Sequence, residues 1–213
     1  MESHDVERPA RRTQRERSED SENRLLAAAA AIIAEDGYTA ATLERVGDRA
    51  GFSRALASRK YGSKDGLIEA VIRRVSDHVH AQLDLAVADV SRPLDRLLTM
   101  IDRFTDLMST DISVRAYFVL FSAMLANRLE TRVVFQEVQD RYAERLQAMI
   151  AEGQAAGEIS AALDPLTAAY VVGSLQAGLA IEAAMGTEME SGPIRTHLAV
   201  MLKGALGVAR DQG

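Results

Sequence analysis

Residues 42–64, TLERVGDRAGFSRALASRKYGSK, decide how this chain reads. Thr42 is placed to cap a helix, its hydroxyl accepting from a free backbone N–H in the first turn. Leu43, Val46 and Ala50 follow at i, i+3 and i+7, one apolar face of a short helix. Gly51 supplies a turn conformation that a β-carbon resists. Phe52 anchors the turn, and Ser53 caps a second short helix from Arg54 to about Lys60. Gly62 ends that helix and Ser63 caps another.

Helix, tight turn and helix form the helix-turn-helix arrangement. Its second helix lies in the DNA major groove with its N-terminal residues at base edges. Ser53, Arg54 and Ala55 stand there. Arg54 can fork onto guanine or a phosphate, Ala55 is small enough for close approach, and Leu56 faces the core or a thymine methyl. Ser58, Arg59 and Lys60 follow one turn on, the two cations suited to phosphates. Lys64 opens the next helix, whose N-terminus favours anions. No acid lies between Gly51 and Lys64. An ordinary helical corner with a solvated basic face fits the same residues.

The stretch from about Arg24 to Val71 resembles the TetR family of bacterial transcriptional regulators. Gly37-Tyr38, Thr42, Ala50-Gly51-Phe52-Ser53, Tyr61-Gly62-Ser63-Lys64 and Leu67 fall at that family's spacing. The resemblance implies an all-α homodimer of about nine helices, with an N-terminal helix-turn-helix domain and a larger helical ligand-binding and dimerisation domain. It implies phosphate contacts from Thr42 and Lys64, a recognition helix opened by Ser53, Arg54 and Ala55, and a packed aromatic at Tyr61. Ser58, Arg59 and Lys60 stand where many members carry two aromatic or histidine residues. Ala55 and Leu56 also depart from the usual residues, so an operator borrowed from another member does not transfer.

Composition agrees with an all-helical chain. Of 213 residues, 47% are hydrophobic, only 4 are proline and none is cysteine, which excludes a disulfide framework and a thiolate metal site. The N-terminus is charged, so no signal peptide is visible, and a cytoplasmic location is expected. Residues 1–66 carry 12 basic and 12 acidic side chains, leaving the whole net charge of -6 on the remainder. An acidic body repelled by DNA points the basic-patched end toward it. Pro165 to Ile181 is uncharged but slightly short of the roughly 20 residues of a membrane span. A helix buried on most sides is expected there, with no membrane partner.

Residues 1–18 read as a flexible basic arm, 19–67 as the helix-turn-helix domain and 68–213 as the second domain. Later helices are expected from Lys64 to about Val90, after Pro93, and over Ile112–Asn127 and Glu130–Ala156. The last two run from Pro165 to about Met185 and from Pro193 to about Arg210. Leu175, Leu179, Leu198, Met201, Leu202 and Leu206 on these last helices could pair with a second copy or form monomer core. Phe104, Met108, Tyr117, Phe121, Met124, Phe135, Gln139, Tyr142 and Tyr170 are candidates for an apolar effector site, against a reading as plain core. Arg115, His78 and Ser122 are further polar candidates.

No catalytic constellation, metal-ligand spacing or cofactor motif appears. The sequence therefore points to a regulator, not an enzyme: a homodimeric repressor on a palindromic operator, released by a small, mostly apolar effector. A helical carrier or enzyme for an apolar molecule, and a ligand-independent DNA binder, are the competing classes.

Overall fold

Thr13 and Glu16 form a capping box, each accepting the other's backbone N–H, and so start the first helix, α1 (Gln14–Asp36). Residues 14–18, expected in a flexible arm, are thus helical. The structure, a computed structural model, describes residues 13–127, 130–185 and 191–207. The rest of the arm and the expected end of the last helix near Arg210 lie outside the described residues.

After a 3-10 turn at Tyr38–Ala40 come α2 (Leu43–Ala50), α3 (Arg54–Tyr61), α4 (Lys64–Val87), α5 (Pro93–Thr110) and α6 (Ile112–Asn127). α7 (Arg132–Ala155), α8 (Pro165–Ala184) and α9 (Ser191–Leu206) complete the described residues, which hold no β-sheet. The chain is all-α, with an N-terminal helix-turn-helix and a larger helical domain.

Thr42, Ser53 and Ser63 cap α2, α3 and α4, their hydroxyls accepting from the N–H three residues on at 3.2, 3.3 and 3.1 Å. Gly51 closes α2 in the left-handed region at φ 75°. From α1, Arg24 donates to the Ala50 carbonyl at 2.7 Å and lies 4.6 Å over the Phe52 ring, clamping the α2–α3 corner. The sequence gives no local sign of that clamp.

Leu67, Ile68, Val71, Ile72, Val75, Val79, Leu83 and Val87 bury one face of α4 along its length. It packs against α1 and α3, and also against α5, α6 and α7. Arg73, Asp77 and Asp84 on α4 pair with Glu137, Arg141 and Arg145 on α7 at 2.8, 2.9 and 2.7 Å. α6 packs on α1, and α9 on α5, where Arg195 pairs with Asp102 and Asp106.

α8 corrects one expectation. Its stretch Pro165–Ala183 is long and apolar enough to cross a membrane, and only 22% of that window is buried. Tyr170, Val171, Leu175, Ile181 and Met185 are exposed along it, and Val200 and Met201 on α9. Leu198, Leu202 and Leu206, expected as interface candidates, are instead monomer core. They recur every four residues on the side of α9 that the α5 packing covers.

A β-carbon on Gly66 would stand 2.2 Å from the Tyr61 carbonyl oxygen, so the α3–α4 corner requires its absence. Gly66→Ala is expected to lower stability by ~1–3 kcal/mol in urea denaturation. Gly204→Ala, on an open stretch of α9 with nothing within 4 Å, should be neutral or stabilising by up to ~1 kcal/mol.

Candidate nucleic-acid interface and effector cavity

The two ends of α4 carry two different sites. At its start, α3 presents Ser53, Arg54, Ala55 and Arg59 to solvent, with Leu56 and Ser58 half-buried. Arg54 and Arg59 have no hydrogen-bond or ion-pair partner among the described residues. Thr42 is exposed at the start of α2. These side chains form a cationic edge around the α3 N-terminus, which itself favours anions.

Other basic side chains nearby are committed inside the protein. Lys60 donates to the Ser18 carbonyl at 3.0 Å and pairs with Glu22 on α1, leaving its side chain 16% exposed. This corrects its expected role as a phosphate contact: it ties α3 to α1. Arg45 pairs with Asp36, and Arg49 with Glu35 at 2.6 Å.

Lys64 donates to the Thr39 carbonyl at 3.2 Å and lies 4.0 Å over the Tyr38 ring, and burial lowers its pKa. Its ammonium carries three donors, so some capacity remains for a phosphate. Tyr61 turns inward. Its hydroxyl is buried without a hydrogen-bond partner among the described residues, and burial, then the nearby Glu22 charge, pushes its pKa up to about 12. It packs the corner and does not offer a polar group to DNA.

Further along α4, a cavity of about 290 Å³ opens between α4, α5, α6, α7 and α8. Phe104, Tyr117, Phe121, Gln139, Tyr142 and Tyr170 from the sequence expectation line it. Three candidates do not. Met108 is buried and faces a second cavity of about 390 Å³, with Arg115 and Ile194. Phe135 is buried behind the wall, its ring 5.1 Å from Tyr117 and 5.7 Å from Phe121. Met124 is core. Of the other polar candidates, His78 pairs with Asp111 at 2.8 Å.

Sequence reasoning missed the α4 side of the cavity, formed by Val75, Ser76, Val79 and His80. They continue the buried stripe of α4, and periodicity alone cannot separate a wall from a core. Sequence reasoning also missed Gln176, buried behind the wall. The Tyr142 hydroxyl donates to Gln176 Oε1 at 2.8 Å, and Gln176 Nε2 donates to the Ile101 carbonyl at 3.3 Å. Burial raises the pKa of both Tyr142 and Tyr117. The His80 ring meets Tyr142 edge-on at 6.5 Å. Burial, then Arg141 and Arg145, lowers its pKa to about 4, so the imidazole is neutral at physiological pH.

The family model of bacterial regulatory proteins, tetR family, matches residues 25–71. A tetracyclin repressor-like C-terminal domain model matches residues 90–180. The chain is 30% identical over 107 residues to the HTH-type transcriptional activator FasR of Mycolicibacterium smegmatis; the match spans 49% of each protein, about half the length of that relative. Its fold resembles a TetR transcriptional regulator from Chloroflexus aurantiacus J-10-FL (TM-score 0.78, 19% identity, 91% of this chain and 99% of the other). It also resembles AibR in complex with isovaleryl coenzyme A and operator DNA (TM-score 0.69, 18% identity, 85% and 97% of the two chains).

The neutral His80 gives a pH signature. Its imidazole titrates near 4 in the folded chain and near 6.5 in the unfolded one. Between these values the unfolded state binds more protons, so His80 destabilises the fold increasingly as pH falls from about 6.5 toward 4. Ring-proton NMR should give a midpoint near 4, and His80→Gln should flatten that part of the stability profile.

Proposed function

This chain belongs to the tetR family of bacterial regulatory proteins, and on that premise we propose that it is a ligand-responsive repressor that binds a palindromic operator as a homodimer. The observation that carries this is the double role of α4. Its N-terminal end abuts α3, and its middle forms one wall of the cavity. Arg54 reads a base edge or grips a phosphate, and Arg59, Thr42, Ser53 and Lys64 contact the backbone.

Two copies pair through the apolar face of α8 and α9, where Tyr170, Val171, Leu175, Ile181, Met185, Val200 and Met201 are exposed. An apolar face of this kind marks a protein or membrane contact. Dimer formation on DNA favours the first, and a cytoplasmic location follows. The dimer sets the spacing of two α3 helices in successive major grooves.

An effector that fits the cavity better when α4 is displaced changes this spacing and releases the operator. A 10–100-fold preference for one state corresponds to about 1.4–2.7 kcal/mol, within the usual range of coupling. The chain is a regulator in this scheme, not an enzyme. The likeness to FasR, named as an activator, favours a second sign of control in which the same binding turns transcription on. A reporter fused to the chain's own upstream DNA distinguishes them by its response to loss of the protein.

Fluorescence anisotropy on that upstream DNA, against scrambled DNA of equal length, tests the binding. Arg54→Ala and Arg59→Ala should each weaken it by about 5- to 150-fold, as loss of a charged contact worth ~1–3 kcal/mol would, and flatten its salt dependence. Equal binding to both DNAs, indifferent to both substitutions, rules out the specific-regulator reading at that site.

Met201→Glu, which places a charge on the exposed α9 face, should shift the protein from dimer to monomer in light scattering while leaving its helical signal intact. A Met201→Glu protein that stays dimeric places the interface elsewhere.

A further inference from the structure

We propose that the cavity selects an uncharged, mostly apolar molecule bearing a carbonyl or hydroxyl group, held by a hydrogen bond to the His80 imidazole. This rests on the effector reading above and narrows the class of effector.

The wall explains the choice. Val75, Val79, Phe104, Phe118 and Leu146 make it largely apolar. Four of its polar side chains are already engaged, and Tyr170 and Ser174 are solvent-exposed. The Tyr142 hydroxyl donates to Gln176, Gln139 meets the Tyr117 hydroxyl, and Ser76 accepts from Arg141. His80 lines the cavity with no hydrogen-bond partner among the described residues. A neutral imidazole carries one donor and one acceptor, so it can meet either a carbonyl or a hydroxyl.

Charge excludes the alternatives. Asp140 is the one formally charged residue on the wall. Arg141 and Arg145, whose charges reach His80, are not on the wall itself; they are paired with Asp77 and Asp84, and Arg141 also donates to Ser76. A carboxylate or phosphate would enter beside Asp140, with both guanidiniums already paired to carboxylates. An unpaired charge in an apolar site is costly. An ammonium head could meet only Asp140, which is exposed and gives a weak, screened attraction.

The test is isothermal titration of the full-length protein near neutral pH with four probes of similar size: octanol, methyl hexyl ketone, octanoate and octylammonium. The ketone and the alcohol should bind at least ~10-fold tighter than either charged probe. His80→Leu should weaken both neutral probes by about 10-fold. His80→Gln, which keeps a donor and an acceptor, should restore part of the loss. Ser122→Ala, away from the wall, should change nothing.

Octanoate or octylammonium binding as tightly as the ketone overturns the inference. So does an unchanged ketone affinity in both His80 variants, or failure of all four probes to bind. Operator binding is measured on the same preparations. DNA binding without probe binding overturns this inference alone, and probe binding as expected without DNA binding overturns the regulator reading alone.

Discussion

Leu67, Ile68, Val71 and Ile72 bury the first half of α4, and Val75, Val79, Leu83 and Val87 bury the second. Between them the helix has no break, and its 24 residues belong at once to the helix-turn-helix and to the cavity domain. Lys64 and His80 stand 16 positions apart in the sequence, about 24 Å along a helix that rises ~1.5 Å per residue. A packed helix moves as a unit, because its hydrogen-bond ladder and close-packed surface resist bending. Whatever shifts the cavity wall therefore shifts the corner that holds α3. The α1–α6 contact gives a second mechanical link between the same two regions, since α6 supplies Val114, Tyr117, Phe118 and Phe121 to the cavity.

The basic side chains of the N-terminal helices divide into two sets, and the division matters more than their number. Arg24, Arg45, Arg49 and Lys60 are spent on holding α1, α2 and α3 together. Arg54 and Arg59 are left facing solvent. The first set fixes the angle at which the second is offered. Internal pairing also spares the corner the repulsion that a cluster of free cations would create in the absence of DNA.

The helix-turn-helix was legible because its signals are local. Thr42, Ser53 and Ser63 cap within three residues, and Gly51 closes a turn in place. The role of Lys60 was not, since its partner Ser18 lies 42 residues away. The cavity was half legible: aromatic and methionine residues at helical spacing mark a buried region, but only tertiary packing separates Tyr117, on the wall, from Phe135, behind it. His80 stands two residues after His78, and nothing local marks it as the ring that faces the cavity. On α9 the four-residue stripe of Leu198, Leu202 and Leu206 announces an apolar face without saying whether its partner is α5 or another chain.

The α4–α7 seam bears on how such a regulator could switch. Two of its three ion pairs are largely solvent-exposed, Arg73–Glu137 at 52% for each side chain and Arg141–Asp77 at 47% and 68%, while in the third Arg145 is 20% accessible and Asp84 68%. Exposed pairs of this kind contribute only ~0–1 kcal/mol each, and water readily replaces them when the helices slide. The apolar contacts at Leu67, Ile68 and Ile72 are fully buried, and opening them would expose area at ~25 cal/mol per Å². Sliding of α4 along the seam is therefore cheaper than any motion that uncovers its buried face, which runs from Leu67 to Leu83. In the proposed switch, a few kcal/mol of differential effector affinity would go into such sliding, which moves the α3 corner without uncovering the core that presents it.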